Sequence, residues 1–228
     1  MAKEPTEEME EETKEGEEDI EESNDVELLL SQGTWGPEQL TFFGPKTNSV
    51  VVYGEITEHV SIAICSQLLE LSNLNPDHPI RVYINTPGGN VLDALAIYDI
   101  MRIIHNPITT IVMGCCHSAG LILLSGGDYR IATPNSMFFH HQPIASAINM
   151  NSTEEVNSLM QQYKWNKKKV DEIIISRTGM SAYEYLQKFG KSVSKYFDAQ
   201  EALEYNFIDN ILEHKEKMHP FWDEEEEE

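Results

Sequence analysis

Between Val50 and His141, short β-rich apolar runs alternate with stretches whose apolar residues recur at helical spacing. Val50–Tyr53, Arg81–Ile84, Ile108–Met113, Tyr129–Thr133 and Met137–His141 read as strands. Val60, Ile64, Leu68 and Leu71 mark one intervening helix; Val91, Leu95, Tyr98 and Met101–Ile104 mark the buried face of another. Asn73–His78 breaks the first helix, and Pro87-Gly88-Gly89 closes the second strand. Parallel strands can be joined only by crossovers, so this alternation predicts an α/β fold with a mostly parallel sheet. Farther on, Ser152-x-x-Glu155 and Gly179 bracket a long helix over Thr153–Thr178, and Ser181-x-x-Glu184 opens a shorter one. Val26–Asn48, punctuated by Gly33, Gly36, Pro37, Gly44 and Pro45, reads as irregular.

Charge sets the domain limits. The 228 residues carry a net charge of −23, but residues 1–25 hold 13 acids against Lys3 and Lys14, and residues 223–228 are all acidic. Such runs repel themselves and stay solvated. The expected organisation is an acidic N-terminal tail (1–25), an irregular segment (26–49), one domain (50–216) and an acidic C-terminal tail (217–228). The acidity argues against nucleic-acid binding, which needs a cationic footprint. No apolar run is long enough for a membrane span, and the N-terminus has neither an h-region nor the arginines of a transit peptide. Cys65, Cys115 and Cys116 show no disulfide or metal spacing, so they read as packed thiols of a reducing, cytoplasmic compartment, with no metal expected.

Three segments carry chemistry. Ser118, in Met113-Gly114-Cys115-Cys116-His117-Ser118-Ala119-Gly120, falls at a strand-to-helix turn, where a hydroxyl can reach a substrate. Tyr83–Gly89 offers a glycine-rich backbone for an oxyanion, and Pro134–Pro143 carries a histidine pair. Taken singly, such a serine is more often a helix cap, and a histidine such as His141 more often a satisfied, partly buried one. The Gly-x-Ser-x-Gly elbow is half met, because Cys116 stands at its first glycine. His140 and His141 face opposite sides of a strand, so only one can serve Ser118. Together the segments suggest covalent acyl transfer by a serine.

Val82–Gly89 (VYINTPGG), Ile97–Met101 (IYDIM), Met113–Gly127 (MGCCHSAGLILLSGG), Pro134–Pro143 (PNSMFFHHQP) and Glu201–Leu212 (EALEYNFIDNIL) occur in that order. Over Val50–His214 the chain resembles the proteolytic subunits of the Clp protease family. The resemblance implies a crotonase-like layered α/β fold with a mostly parallel sheet, central helices and a protruding handle at about residues 143–178. It implies seven-membered rings stacked into a tetradecamer, with the proteolytic sites inside. Ser118 matches the nucleophile, His141 the general base, and the N–H groups of Gly89 and Ala119 the oxyanion hole. Tyr83 and Ile103 fall near positions that dock an AAA+ unfoldase, where Arg81 replaces an aromatic residue. No cofactor is implied; ATP belongs to the separate unfoldase, and this chain has no Gly-x-x-x-x-Gly-Lys loop.

The third triad position departs from the family. Counting back from Ala199, the aspartate slot holds Ser194; a two-residue insertion around Gly190 would put Ser192 there instead. Asp198 is the nearby acid, but Asp198-x-x-Glu201 reads as a capping box. Ser192 and Val193 also stand where the family often has a ring-bridging acid–Arg pair. Expectation therefore centres on a serine endopeptidase subunit of reduced activity, acting on peptides and on proteins fed by the unfoldase. The alternatives are a weakly active or regulatory subunit that co-assembles with a competent Clp peptidase and, remotely, a crotonase-type acyl-CoA enzyme.

Overall fold

Elements form in the order β1 (Phe43–Gly44), β2 (Ser49–Tyr53), α1 (Glu58–Leu74), β3 (Ile80–Thr86), α2 (Val91–Ile103), β4 (Ile108–His117), α3 (Gly120–Gly126), β5 (Tyr129–Ala132) and β6 (Met137–His140). They continue with α4 (Thr153–Thr178), α5 (Ala182–Phe189), β7 (Lys195–Asp198), α6 (Ala199–Glu204) and β8 (Asn210–Ile211). This computed structural model describes residues 43–44, 48–143, 152–190 and 194–212. Both acidic tails, Ser192 and Val193, and residues 144–151 of the expected handle lie outside the described residues.

The sheet runs β1-β2-β3-β4-β5-β8, with β6 and β7 branching from β4. Every pairing is parallel except β1–β2 and β6–β7. Strand alternation sets what is buried: Ile80, Val82, Ile84 and Thr86 of β3 turn inward, whereas Arg81, Tyr83 and Asn85 point the other way. Val60, Ile64, Leu68 and Leu71 of α1 pack on that inner face, as do Ala94, Leu95, Ile97 and Met101 of α2. Each of these side chains larger than alanine contributes about 1.5–3 kcal/mol when removed from water. Thr57 and Asn90 cap α1 and α2 by accepting from N–H groups of their first turns. Ser152 caps α4, Ser181 closes a two-way capping box on α5, and Gly179 (φ 71°) ends α4 as expected.

Besides the two-residue β8, which the sequence pattern leaves unassigned, three features differ from the sequence expectation. Phe43–Gly44, in the segment read as irregular, forms an antiparallel edge strand against Ser49 and Val50, since β2 otherwise leaves an edge unpaired. β4 runs on to His117 rather than stopping at Met113, because it changes partner: Thr109–Val112 pair with β5, and Cys115–His117 with β6. At the bend, Asn85 Oδ1 accepts from the Cys115 N–H at 3.1 Å, where the β3–β4 register slips. Lys195–Asp198 forms β7 by pairing back on β6. The carboxyl ends of neighbouring β3, β4 and β6 thus meet where β4 parts from β5, the kind of position at which open α/β sheets place their sites.

Candidate active site

Each of those three strand ends delivers one part of a site. β4 ends in Ser118, which has φ 53°. A non-glycine residue in this left-handed region is strained, and the strain lifts its side chain off the sheet as a nucleophile elbow does. The turn is held by the Ser118 N–H donating to Phe139 C=O at 2.7 Å and by Leu121 N–H donating to Ser118 C=O at 3.0 Å. A Cβ added at Gly120 would lie 2.7 Å from Thr86 Cγ2 and 3.4 Å from Cys116 Sγ, and Cys116 stands where the elbow pattern has its first glycine.

His140 closes β6 and His141 follows it directly, and the two rings go to opposite faces. His141 Nε2 lies 2.6 Å from Ser118 Oγ. For Nε2 to take the serine proton, the ring hydrogen must sit on Nδ1. Among the described residues none hydrogen-bonds Nδ1. Continuing the β6–β7 register (His140 with Lys195) by one residue sets Ser194 opposite His141. Ser194 is exposed. Asp198 is committed elsewhere: its Oδ1 accepts from the Glu201 N–H at 2.9 Å as the cap of α6.

β3 ends in Pro87-Gly88-Gly89. Thr86 Oγ1 accepts from the Gly88 N–H at 3.0 Å and donates to Gly54 C=O. Gly88 (φ 98°) faces the elbow so closely that an added Cβ would lie 2.8 Å from Ser118 Cβ and 2.7 Å from His117 O. Gly89 (φ 152°) leaves 2.2 Å between such a Cβ and Ile56 O. Among the described residues, no backbone carbonyl outside the regular elements takes the Gly89 or Ala119 N–H. Gly88→Ala should displace the elbow and lower turnover by roughly 10²-fold, the cost of an ångström-scale misplacement. Unchanged kcat in that variant would show that the two turns do not need this contact.

Ser118 and His141 open onto a cleft of about 410 Å³, walled by Pro87 and Gly89–Leu92 on one side and by α4 on the other. The α4 wall is Leu159, Gln162, Tyr163 and Asn166. The sequence reading placed this helix but missed its cleft face, whose signal is the i, i+4, i+7 spacing of Leu159, Tyr163 and Asn166. Tyr83 and Ile103 do not line the cleft. Burial pushes the Cys115 and Cys116 thiols up, so both stay protonated at neutral pH. Among the described residues no cluster of three His, Cys, Asp or Glu could hold a metal, and no helix is long and apolar enough to cross a membrane.

His140, on the other face, is 2% exposed and anchors the strand. Tyr185 Oη donates to Asp171 Oδ1 at 2.7 Å, so His140 Nε2, 3.1 Å from the same oxygen, must be the donor to it. Asp171 also pairs with Lys167. Burial drives His140 down to about 4 from the ordinary 6.5, against the opposing pull of Asp171. Between these values the unfolded chain binds a proton that the folded chain refuses, so stability rises with pH. The contribution is complete above about pH 6.5 and is lost toward pH 4, on the order of 3 kcal/mol. His140→Gln keeps a donor for Tyr185 without the ionisation and should flatten this part of the urea-midpoint curve against pH. Equal acid slopes in parent and variant would contradict it.

Residues 45–215 match the family model described as Clp protease. The chain is 33% identical over 171 residues to the ATP-dependent Clp protease proteolytic subunit of Leuconostoc citreum (strain KM20), an alignment covering 73% of this chain and 84% of that protein.

Proposed function

Since the chain belongs to the Clp protease family and is a serine-type proteolytic subunit of it, we propose that Ser118 is its nucleophile and His141 its general base. The observation that carries this reading is the 2.6 Å contact between Ser118 Oγ and His141 Nε2 at the floor of the cleft. Oγ attacks the scissile carbonyl carbon, its proton passes to Nε2, and the carbonyl electron pair moves onto oxygen. The N–H groups of Gly89 and Ala119 stabilise that oxyanion, each worth about 3 kcal/mol in comparable sites. Collapse expels the amine with the proton from His141 and leaves an ester on Ser118. Water then attacks the ester, gives its proton to His141, and the acid departs with Ser118 restored. No cofactor takes part.

Assembly belongs to the same proposal. Val156, Met160 and Trp165 of α4 are 39%, 42% and 48% exposed, an apolar display on a 26-residue helix that suits contact with further copies. Heptameric rings stacked as a tetradecamer would enclose the clefts. The relative's name describes an ATP-dependent protease, which supports a separate AAA+ unfoldase as the partner that supplies protein substrates. Ile103, 75% exposed at the end of α2, and Tyr83 on β3 are the proposed docking residues.

The full-length protein should hydrolyse a short fluorogenic peptide, and a fluorophosphonate should stop it. Hydrolysis that continues after complete reaction with the fluorophosphonate would overturn the serine reading.

A further inference from the structure

His141 lies on an aromatic column. Its ring stacks on Phe139 with centroids 5.2 Å apart and planes 21° from parallel. Phe139 in turn stacks on Tyr196 at 4.2 Å and 26°. The backbone explains the column: Phe139 on β6 and His141, just past the strand's end, are two residues apart and share a face, and Tyr196 is the cross-strand partner of Phe139 on β7. His117 closes the side, edge-on to both Phe139 and Tyr196 at 5.8 Å.

A general base needs two services from its third residue. It must hold the ring in one orientation, and it must stabilise the imidazolium formed when the serine proton arrives. Ser194 brings no charge to the second task. An aromatic face carries negative quadrupole density and attracts a cation placed over it. The charged groups nearby are otherwise engaged. Asp171 is held by Tyr185 and Lys167 behind His140, and Asp198 caps α6. Lys195 lies over Phe189 and Tyr205 on the opposite face of β7, and burial favours neutral His117. We propose that Phe139, braced by Tyr196, is the positioning residue of this site: it fixes the His141 ring by stacking and carries part of the imidazolium charge that a carboxylate would otherwise take. The inference rests on the reading of His141 as the base.

The test is Phe139→Leu, which keeps an apolar side chain and removes the π face, with Phe139→Tyr as the conservative control. Phe139 does not line the cleft, so kcat should fall with KM unchanged, by roughly three- to tenfold. The acid limb of the kcat/KM profile should move to lower pH, because the protonated ring loses its partner. Phe139→Tyr should restore both. In a Ser194→Asp background the penalty should shrink to under about twofold, since the carboxylate then serves the ring. A purely structural role would lower kcat equally in both backgrounds and leave the acid limb where it was. Should Phe139→Leu fail to fold, Tyr196→Leu, at a position 61% exposed, must shift the acid limb in the same direction. An unmoved acid limb in the folded variant, or an equal loss with leucine and tyrosine, overturns the proposal. Retained turnover in Ser118→Ala would instead remove the underlying reading, so the two failures are distinguishable.

Discussion

Ser194→Asp is expected to raise kcat for a short peptide by about 10²- to 10⁴-fold. The upper limit is the cost of losing the acid in a complete serine triad. The lower limit allows for imperfect alignment of the new carboxylate with the ring, and for the roughly three- to tenfold that the Phe139 stack already supplies. Extending the register of β6 against β7 by one residue puts position 194 opposite His141, and the Nδ1–H that would face a new carboxylate has no acceptor among the described residues. A carboxylate there would lock the tautomer and stabilise the imidazolium at once. A rise of less than about twofold would show that position 194 does not communicate with the histidine. The alternative slot, Ser192, would then be the one to convert.

Ser118→Ala should cost a different amount in the two backgrounds. Triad members act as a unit: in a complete triad, loss of the serine alone costs about 10⁶-fold, nearly as much as losing all three. In the parent, where the acid is already absent, part of that factor is gone. Ser118→Ala should therefore lower kcat by about 10²- to 10⁴-fold in the parent and by about 10⁶-fold in the Ser194→Asp chain. The gain on adding the acid, multiplied by the parent's loss on removing the serine, should return roughly the 10⁶ of the full triad. Equal losses in both backgrounds would mean that Ser118 and position 194 are not parts of one catalytic unit.

The architecture was legible because it rests on local patterns. Alternating apolar runs marked β2, β3, β5 and β6 to within about two residues, and capping chemistry marked α4 and α5 at both ends or at their starts. The contact between Ser118 and His141 was legible through their motifs and through strand alternation, which separates His141 from His140. What remained hidden depends on partners distant in the chain. β7 exists through pairing with β6, and its four residues follow a Gly-Lys-Ser stretch that gives no strand signal. The extension of β4 past Met113 depends on Asn85 filling the gap at the bend. Phe139 and His141 share a face on sequence grounds, but Tyr196 joins the column only once the β6–β7 register is known. The cleft face of α4 was obscured by intervening polar residues such as Gln161 and Lys164.

The most direct measurement is to treat the intact protein with a fluorophosphonate and locate the adduct by peptide mass spectrometry. A single adduct on the peptide containing Ser118, absent from His141→Ala under the same conditions, is the predicted result. An adduct on any other residue, or none on Ser118 in either the parent or Ser194→Asp, would contradict the account of Ser118 as a nucleophile activated by His141.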